Sequence, residues 1–309
     1  MKIYPHIKDF VKIDHAIVTI GTFDGVHLGH QKIIKRLKEI AAETGGETVI
    51  LTFFPHPRMI LHPEDVNIKM ITTMDERAEL LEKHHIDHLI ITPFTRDFSN
   101  LSPEEYISQV LVEQVGIKKI IIGYDHRFGK NREGGLKELQ RLGPAYNFEV
   151  EEISEQDVND VAVSSTKIRS ALLEGDIKSA NEFLGYPFGI TGKVVRGDEI
   201  GRKLGYPTAN LFVEQTYKII PADGIYAVKI SVDEAEHKGM CYIGNRPTIN
   251  GMTRNIEVNI FDFDEDIYDK NIRLNFLHFV RGDARFNNLE ELRTQIEKDK
   301  QVILGLLKR

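Results

Sequence analysis

The chemistry-bearing residues of this chain gather first between Gly21 and His30, in the run Gly-Thr-Phe-Asp-Gly-Val-His-Leu-Gly-His. Gly21 and Gly25 permit a tight turn whose backbone N–H groups approach an anion closely. His27 and His30 are three residues apart, so in a first helical turn they share a face. Three chemistries fit such a pair. As metal ligands they would need a third close partner and would sit at a helix N-terminus, which disfavours cations. As packing or capping residues they would leave the flanking glycines unexplained. As phosphate contacts they would hydrogen-bond phosphate oxygens and stabilise the charge that grows when an α-phosphate is attacked. The glycines favour the last.

Further polar clusters follow. Ser165 and Thr166 stand where a helix begins, and offer hydroxyls and N–H groups either to a phosphate or simply to the helix end. Arg169 lies one turn further on and could offset pyrophosphate charge. Gly192-Lys193-Val194-Val195-Arg196-Gly197-Asp198 leads through Gly201 and Gly205 to Pro207-Thr208-Ala209-Asn210, a strand, a glycine-rich flap and a second strand. It is not a Walker loop, because Gly-x4-Gly-Lys-[Ser/Thr] is absent. By spacing alone, Glu257 is a polar residue on a strand's outer face, and His56 between two prolines is a surface-loop residue.

The elements that must position these groups divide the chain. Ala16 to Ile20 reads as a strand before the first glycine, and Ile33, Ile34, Leu37, Ile40 and Ala41 as one face of the helix after it. Thr48 to Phe54 is the next strand, and Ser102-Pro103-Glu104-Glu105 a capping box opening a helix through Val115. Ile120 to Gly123 is another buried strand. Such repeated β-α-β units build a Rossmann-like α/β domain with a parallel sheet, whose ligands bind at the carboxyl ends of the strands. Two short helices run from Ser164-Ser165-Thr166 to Leu184. Beyond Gly185-Tyr186-Pro187 the pattern turns to period two, as in Ile256, Val258, Ile260 and in Ile272, Leu274, Phe276. That implies an antiparallel barrel or sandwich, closed by a helix from about Leu289 carrying Leu292, Ile296 and Leu304. The expected domains are 1–185 and 186–309.

Composition narrows the task. With 41% hydrophobic and 28% charged residues, 309 residues build two real cores. No stretch approaches the roughly 20 apolar residues of a membrane helix, and the N-terminal residues lack an apolar signal core, so neither membrane nor export is expected. Cys241 is the single cysteine, which fits a reducing cytoplasm. A net charge of −7 and no aromatic stacking stripe argue against a nucleic-acid partner.

The decapeptide from Gly21 to His30 resembles the His-x-Gly-His signature of nucleotidyltransferases, and its wording resembles the prokaryotic FAD synthetases. Three more segments are similar to that family: Thr52-Phe53-Phe54-Pro55-His56-Pro57, Gly123-Tyr124-Asp125-His126-Arg127-Phe128-Gly129, and Val163-Ser164-Ser165-Thr166-Lys167-Ile168-Arg169. His126 stands where many members have phenylalanine. The resemblance implies ATP phosphates on Gly21, Phe23, Asp24, Gly25, His27, His30, Ser165, Thr166 and Arg169, with His27, His30 and Arg169 catalytic. It implies flavin on Phe54, Pro55, His56, Asp125 and Arg127.

The later half resembles riboflavin kinase, with Pro-Thr-Ala-Asn its most specific mark. Gly224-Ile225-Tyr226-Ala227-Val228 and Ile243-Gly244-Asn245-Arg246-Pro247-Thr248 also match. This resemblance implies ATP and Mg²⁺ on Gly192, Lys193, Gly197, Gly205, Thr208 and Asn210, with Thr208 and Asn210 the metal ligands. Glu257 becomes the general base for the ribityl 5′-hydroxyl, and Arg281, Asp283 and Phe286 border the flavin. Asn259, Asp269 and Asp283 depart from the family pattern near the flavin and the flap. Together the two resemblances imply a bifunctional enzyme that takes riboflavin and ATP to FMN, and FMN and ATP to FAD, as a monomer or weak homo-oligomer. The alternative keeps the adenylyl transfer and makes the barrel a flavin-binding or regulatory module.

Overall fold

Valine- and isoleucine-rich segments become strands buried on both faces, as a parallel sheet requires. In the computed structural model the described residues are 1–65, 68–154, 163–197, 200–233, 235–244 and 254–308, without the side chains of residues 200 and 203. Asp198 and Asn245-Arg246-Pro247-Thr248, named above, lie outside them. Contacts divide the chain into two units, Met1–Ser165 and Thr166–Arg309.

In the first unit, β1 (Lys2–Tyr4), β2 (Ala16–Ile20), β3 (Glu47–Phe53), β4 (His88–Thr92), β5 (Ile117–Gly123) and β6 (Glu149–Ile153) pair in the order β1-β4-β3-β2-β5-β6. Every pairing is parallel. The chain steps outward from β2 through β3 to β4, then returns to place β5 on the other flank of β2. That reversal opens a crevice at the carboxyl ends of β2 and β5, where ligands bind in open α/β sheets. Gly21 and Gly123 stand at those two ends. The helix Leu28–Thr44 follows the first, burying Ile34, Leu37, Ile40 and Ala41 and ending on Gly45 in the left-handed region. The capping box at Ser102 and Glu105 forms as expected, but beyond Glu105 the helix continues through Tyr106–Val115 in the wider π form.

In the second unit, β7 (Gly189–Val195), β8 (Ala209–Phe212), β9 (Gly224–Val232), β10 (Ala235–Gly244), β11 (Asn255–Ile260) and β12 (Asn271–Arg281) close into an antiparallel barrel in the order β10-β11-β8-β7-β12-β9. Ile256, Val258, Ile272, Leu274 and Phe276 point into its core. The terminal helix Leu289–Leu306 packs Ile303, flanked by Ile296 and Leu304, against Ile225, Ala227, Met240 and Phe261. The helices Ser165–Glu174 and Ile177–Leu184 precede the barrel. Asn181 ties the second of them in, its side chain bonding Phe276 O at 2.9 Å and the Phe188 N–H at 2.7 Å.

Candidate active sites

The loop after β2 is held in a conformation few sequences adopt. The Gly21 N–H donates to Leu51 O at 3.1 Å. Phe23, Gly25 and Val26 then take positive φ angles of 47°, 82° and 38°. Such angles strain the two non-glycine residues by on the order of 1–3 kcal/mol each, so the surroundings must enforce them. Burial of Phe23 and Val26 is one restraint. Asp24 is the other: its carboxylate accepts the N–H groups of Ile71 (3.0 Å) and Thr72 (3.1 Å) and lies 3.4 Å from Arg77 Nη2. The Gly25 N–H donates to Thr72 Oγ1 at 3.1 Å. The structure thus turns the Asp24 side chain toward Thr72 and Arg77. Sequence reasoning missed both partners. The capping box of Thr73 and Glu76 marks the start of the helix Met74–Lys83 that carries Arg77, but not its pairing with Asp24.

His27 caps the helix Leu28–Thr44, its Nδ1 accepting the His30 N–H at 3.4 Å. The two imidazoles stack with centroids 3.7 Å apart, and Phe23 flanks His30 at 4.9 Å. Burial holds His30 well below the ordinary imidazole pKa, with the nearby His27 and Arg77 adding to the effect. Its Nδ1 is buried without a hydrogen-bond partner. A neutral imidazole with an unused nitrogen in the first turn of a helix is placed to meet an anion. The Gly21 and Gly25 N–H groups, which the sequence offered to that anion, are instead already donated to Leu51 O and Thr72 Oγ1. Among the described residues no group of three His, Cys, Asp or Glu side chains is gathered to hold a metal.

Neighbouring strand ends bring further segments to this loop. Thr52 Oγ1 donates to Thr22 O at 3.3 Å, placing the end of β3 beside it. Phe54 and Pro55 follow, and His56 caps the helix Pro57–Leu61 by accepting the Arg58 N–H at 3.1 Å. Ser165 Oγ donates to Asp24 O at 3.1 Å, so the fourth segment meets the first through the loop backbone. Thr166 and Arg169 lie on the helix that Ser165 opens. Beyond β5, Asp125 and Arg127 are exposed while His126 is turned inward, beside the ring of Phe128. Burial pushes the His126 pKa down to about 4.

The barrel gathers a second set. β11 pairs with β8 so that Glu257 stands opposite Asn210. Thr208 Oγ1 donates to Glu257 Oε2 at 3.0 Å, and Asn255 Nδ2 donates to Oε1 at 2.6 Å. Three residues separated by up to 49 positions therefore meet as oxygen-rich side chains on one sheet face. Gly197 backs onto this group, since a Cβ there would collide with the Asn210 amide. Gly192 and Lys193 lie on β7, and the Lys193 amino group sits 2.8 Å from Asp269. Gly205 takes the left-handed conformation (φ 84°) in the turn before Tyr206.

Comparison with known proteins matches each half of the chain to a family. Residues 11–167 match the FAD synthetase family model and residues 184–307 the riboflavin kinase model. The bifunctional riboflavin kinase/FMN adenylyltransferase of Listeria monocytogenes is 38% identical over 93% of this chain and 91% of its own. That of Bacillus subtilis is 37% identical over 96% and 94%. This chain belongs to the bifunctional riboflavin kinase/FMN adenylyltransferase family. In fold it is similar to the crystal structure of a macrolide-efflux protein from Streptococcus pneumoniae, with a TM-score of 0.85, 29% identity and 98% of each chain covered. That name is the pneumococcal protein's. No helix among the described residues here is long and apolar enough to cross a membrane.

The departures from the riboflavin kinase/FMN adenylyltransferase pattern now have physical settings. Asp269 has φ 65°, a left-handed conformation that favours glycine and that aspartate tolerates better than most residues. Its carboxyl is held below the usual carboxylate range by the hydrogen bond from Lys193. Asn259 is buried and donates through Nδ2 to Pro207 O at 2.7 Å. Asp283 is exposed, and its carboxylate accepts the Ala284 N–H at 2.9 Å. Arg281 directs Nε and Nη2 to Asp299 of the terminal helix, at 3.0 and 2.7 Å, with Phe286 within 5.9 Å of its guanidinium.

Proposed function

We infer that this chain makes FAD from riboflavin in two ATP-dependent steps, one in each half. The observation that carries the kinase step is the meeting of Glu257 with Thr208 and opposite Asn210. In that step the riboflavin 5′-hydroxyl oxygen bonds to the ATP γ-phosphorus as the bond to the bridging oxygen breaks. Glu257 takes the hydroxyl proton, giving FMN and ADP. Thr208 and Asn210 supply the hard oxygen donors that suit Mg²⁺, which when bound neutralises charge on the transferring phosphates. Gly192, Lys193, Gly197 and Gly205 shape the flap over the ATP, and Arg281, Asp283 and Phe286 border the flavin.

In the second step an FMN phosphate oxygen bonds to the α-phosphorus of another ATP and pyrophosphate leaves. His27 and His30 stabilise the charge on the α-phosphate at the start of their helix, and Gly21, Phe23 and Gly25 shape the loop beside it. Asp24 keeps that loop in shape. Ser165, Thr166 and Arg169 hold the leaving pyrophosphate. Phe54, Pro55, His56, Asp125 and Arg127 hold the flavin. Both transfers are positioning plus electrostatics, with no covalent enzyme intermediate. The reading places the functional division at 185/186 and the protein in the cytoplasm as a monomer or weak homo-oligomer, with no nucleic-acid or membrane partner.

The test is product analysis started separately from riboflavin and from FMN, each with ATP and Mg²⁺. Glu257→Gln is expected to abolish FMN formation and spare FAD formation from supplied FMN. His30→Ala is expected to do the converse, with FMN accumulating. Equal loss of both activities in folded protein would overturn the two-site assignment. Absence of FMN from the unaltered protein would leave the barrel a binding module.

A further inference from the structure

Asn259 lies two residues beyond Glu257 on β11, on the same face of the strand, and only 6% of its surface is exposed. The ladder between β11 and β8 runs Glu257 to Asn210 and Val258 to Ala209, and there the backbone pairing stops. Pro207 lacks the N–H that a continued ladder would need. Its carbonyl is met instead by a side chain, the Asn259 Nδ2 at 2.7 Å. Thr208, the next residue, donates to Glu257 Oε2 at 3.0 Å. Consecutive residues of the Pro-Thr-Ala-Asn segment are thus each fastened to alternate side chains of one strand. The residue before them, Tyr206, is bonded through its hydroxyl to Glu297 of the terminal helix.

We propose that Asn259 is a positioning residue of the kinase half, which takes over the ladder where Pro207 ends it and so sets the Thr208 hydroxyl against the Glu257 carboxylate. The inference rests on Glu257 and Thr208 being the reacting-site residues. Asn259 acts through the Pro207 carbonyl. Without its amide, the Pro207 carbonyl loses this tether and the segment, exposed at Pro207, is free to turn toward water. A displacement of an ångström at a catalytic group costs up to a hundredfold in rate without a matching loss of substrate binding. The side chain required is therefore a hydrogen-bond donor of the right reach.

The experiment compares Asn259→Ala and Asn259→His in the full chain, following FMN formation from riboflavin and FAD formation from supplied FMN. Asn259→Ala is expected to lower kcat for FMN formation about tenfold, with KM for riboflavin within roughly twofold of the unaltered protein. FAD formation from FMN should be unchanged, and a retained thermal unfolding transition of the barrel reports that the altered unit is folded. Asn259→His, which restores an N–H donor, is expected to recover most of the lost kcat. Unchanged kcat in Asn259→Ala, or no recovery in folded Asn259→His, overturns the proposal. If Asn259→Ala does not fold, recovery of kcat in Asn259→His relative to donor-less Asn259→Leu decides in its place. Glu257→Gln run alongside separates failures: if it retains full FMN formation, the base assignment has failed rather than the role of Asn259.

Discussion

The imidazoles of His27 and His30 lie face to face, 3.7 Å between centroids and 17° from parallel. Two protonated rings cannot share that arrangement cheaply, and burial alone already disfavours charge on His30. In the same unit, burial takes His126 down to about 4.

His30 and His126 predict how the first unit responds to acid. Both have folded-state pKa values below the unfolded value of about 6.5, so between the two values only the unfolded chain takes up their protons. Their contribution is complete above about pH 6.5 and is lost as pH falls, for His126 down to about pH 4. Each costs about 1.4 kcal/mol per pH unit while its unfolded form titrates alone. Thermal melts between pH 7.5 and 4.5 should show the first unit weakening, and His126→Phe should flatten part of that slope. An identical slope in the variant would remove His126 from the account.

Asp24 and Arg77 form a buried ion pair at the base of the loop after β2. Asp24→Asn leaves the Arg77 charge buried and turns an amide toward the N–H groups of Ile71 and Thr72. Removing one partner of such a pair costs about 3–5 kcal/mol. The melting temperature of the first unit should fall and FAD formation from FMN should drop, while FMN formation from riboflavin persists. Adding Arg77→Met should be less harmful than the sum of the single changes, because the unpaired charge goes with it. Strict additivity would show that the pair does not hold the loop.

Gly197 offers a cleaner perturbation of the kinase half. Its missing side chain makes room for the Asn210 amide, and a methyl there must push that amide aside. Gly197→Ala is therefore expected to raise KM for ATP in FMN formation by about tenfold, with the barrel's melting temperature nearly unchanged because Gly197 is exposed. Unaltered ATP saturation would mean that Asn210 does not contact the nucleotide.

Much of this was legible in the sequence. The period-two runs through Val258 and Leu274 narrowed the second half to an antiparallel barrel or sandwich, of which the barrel forms, and the repeated strand–helix order from Ala16 on implied the parallel sheet and its crevice. What stayed hidden were contacts across long sequence gaps. Nothing local marks Arg77 as the partner of Asp24, 53 positions away, or Asn259 as the partner of Pro207, 52 positions away. Asn259 alternates with apolar neighbours and so read as an outward polar residue; it is buried because the Pro-Thr-Ala-Asn segment covers that face. Glu257 needed the family resemblance for the same reason, since its meeting with Thr208 exists only once the barrel has closed.

Asp269 is where this chain's kinase half should be improvable. Its left-handed backbone (φ 65°) would suit glycine better, and its ion pair with Lys193 is exposed on both sides. An exposed pair contributes roughly 0–1 kcal/mol, about what relief of the backbone would return, so Asp269→Gly should leave the melting temperature nearly unchanged. Function should move more. The Lys193 amino group is engaged by a carboxylate at 2.8 Å, and an incoming phosphate must displace that carboxylate to use it. Freed, Lys193 should lower KM for ATP in FMN formation by a few-fold at low ionic strength. Screening shortens from about 10 Å at 0.1 M salt to about 3 Å at 1 M, so the advantage should shrink as salt rises. A KM that does not change in Asp269→Gly, or a gain that salt leaves intact, would show that Lys193 does not engage the phosphates.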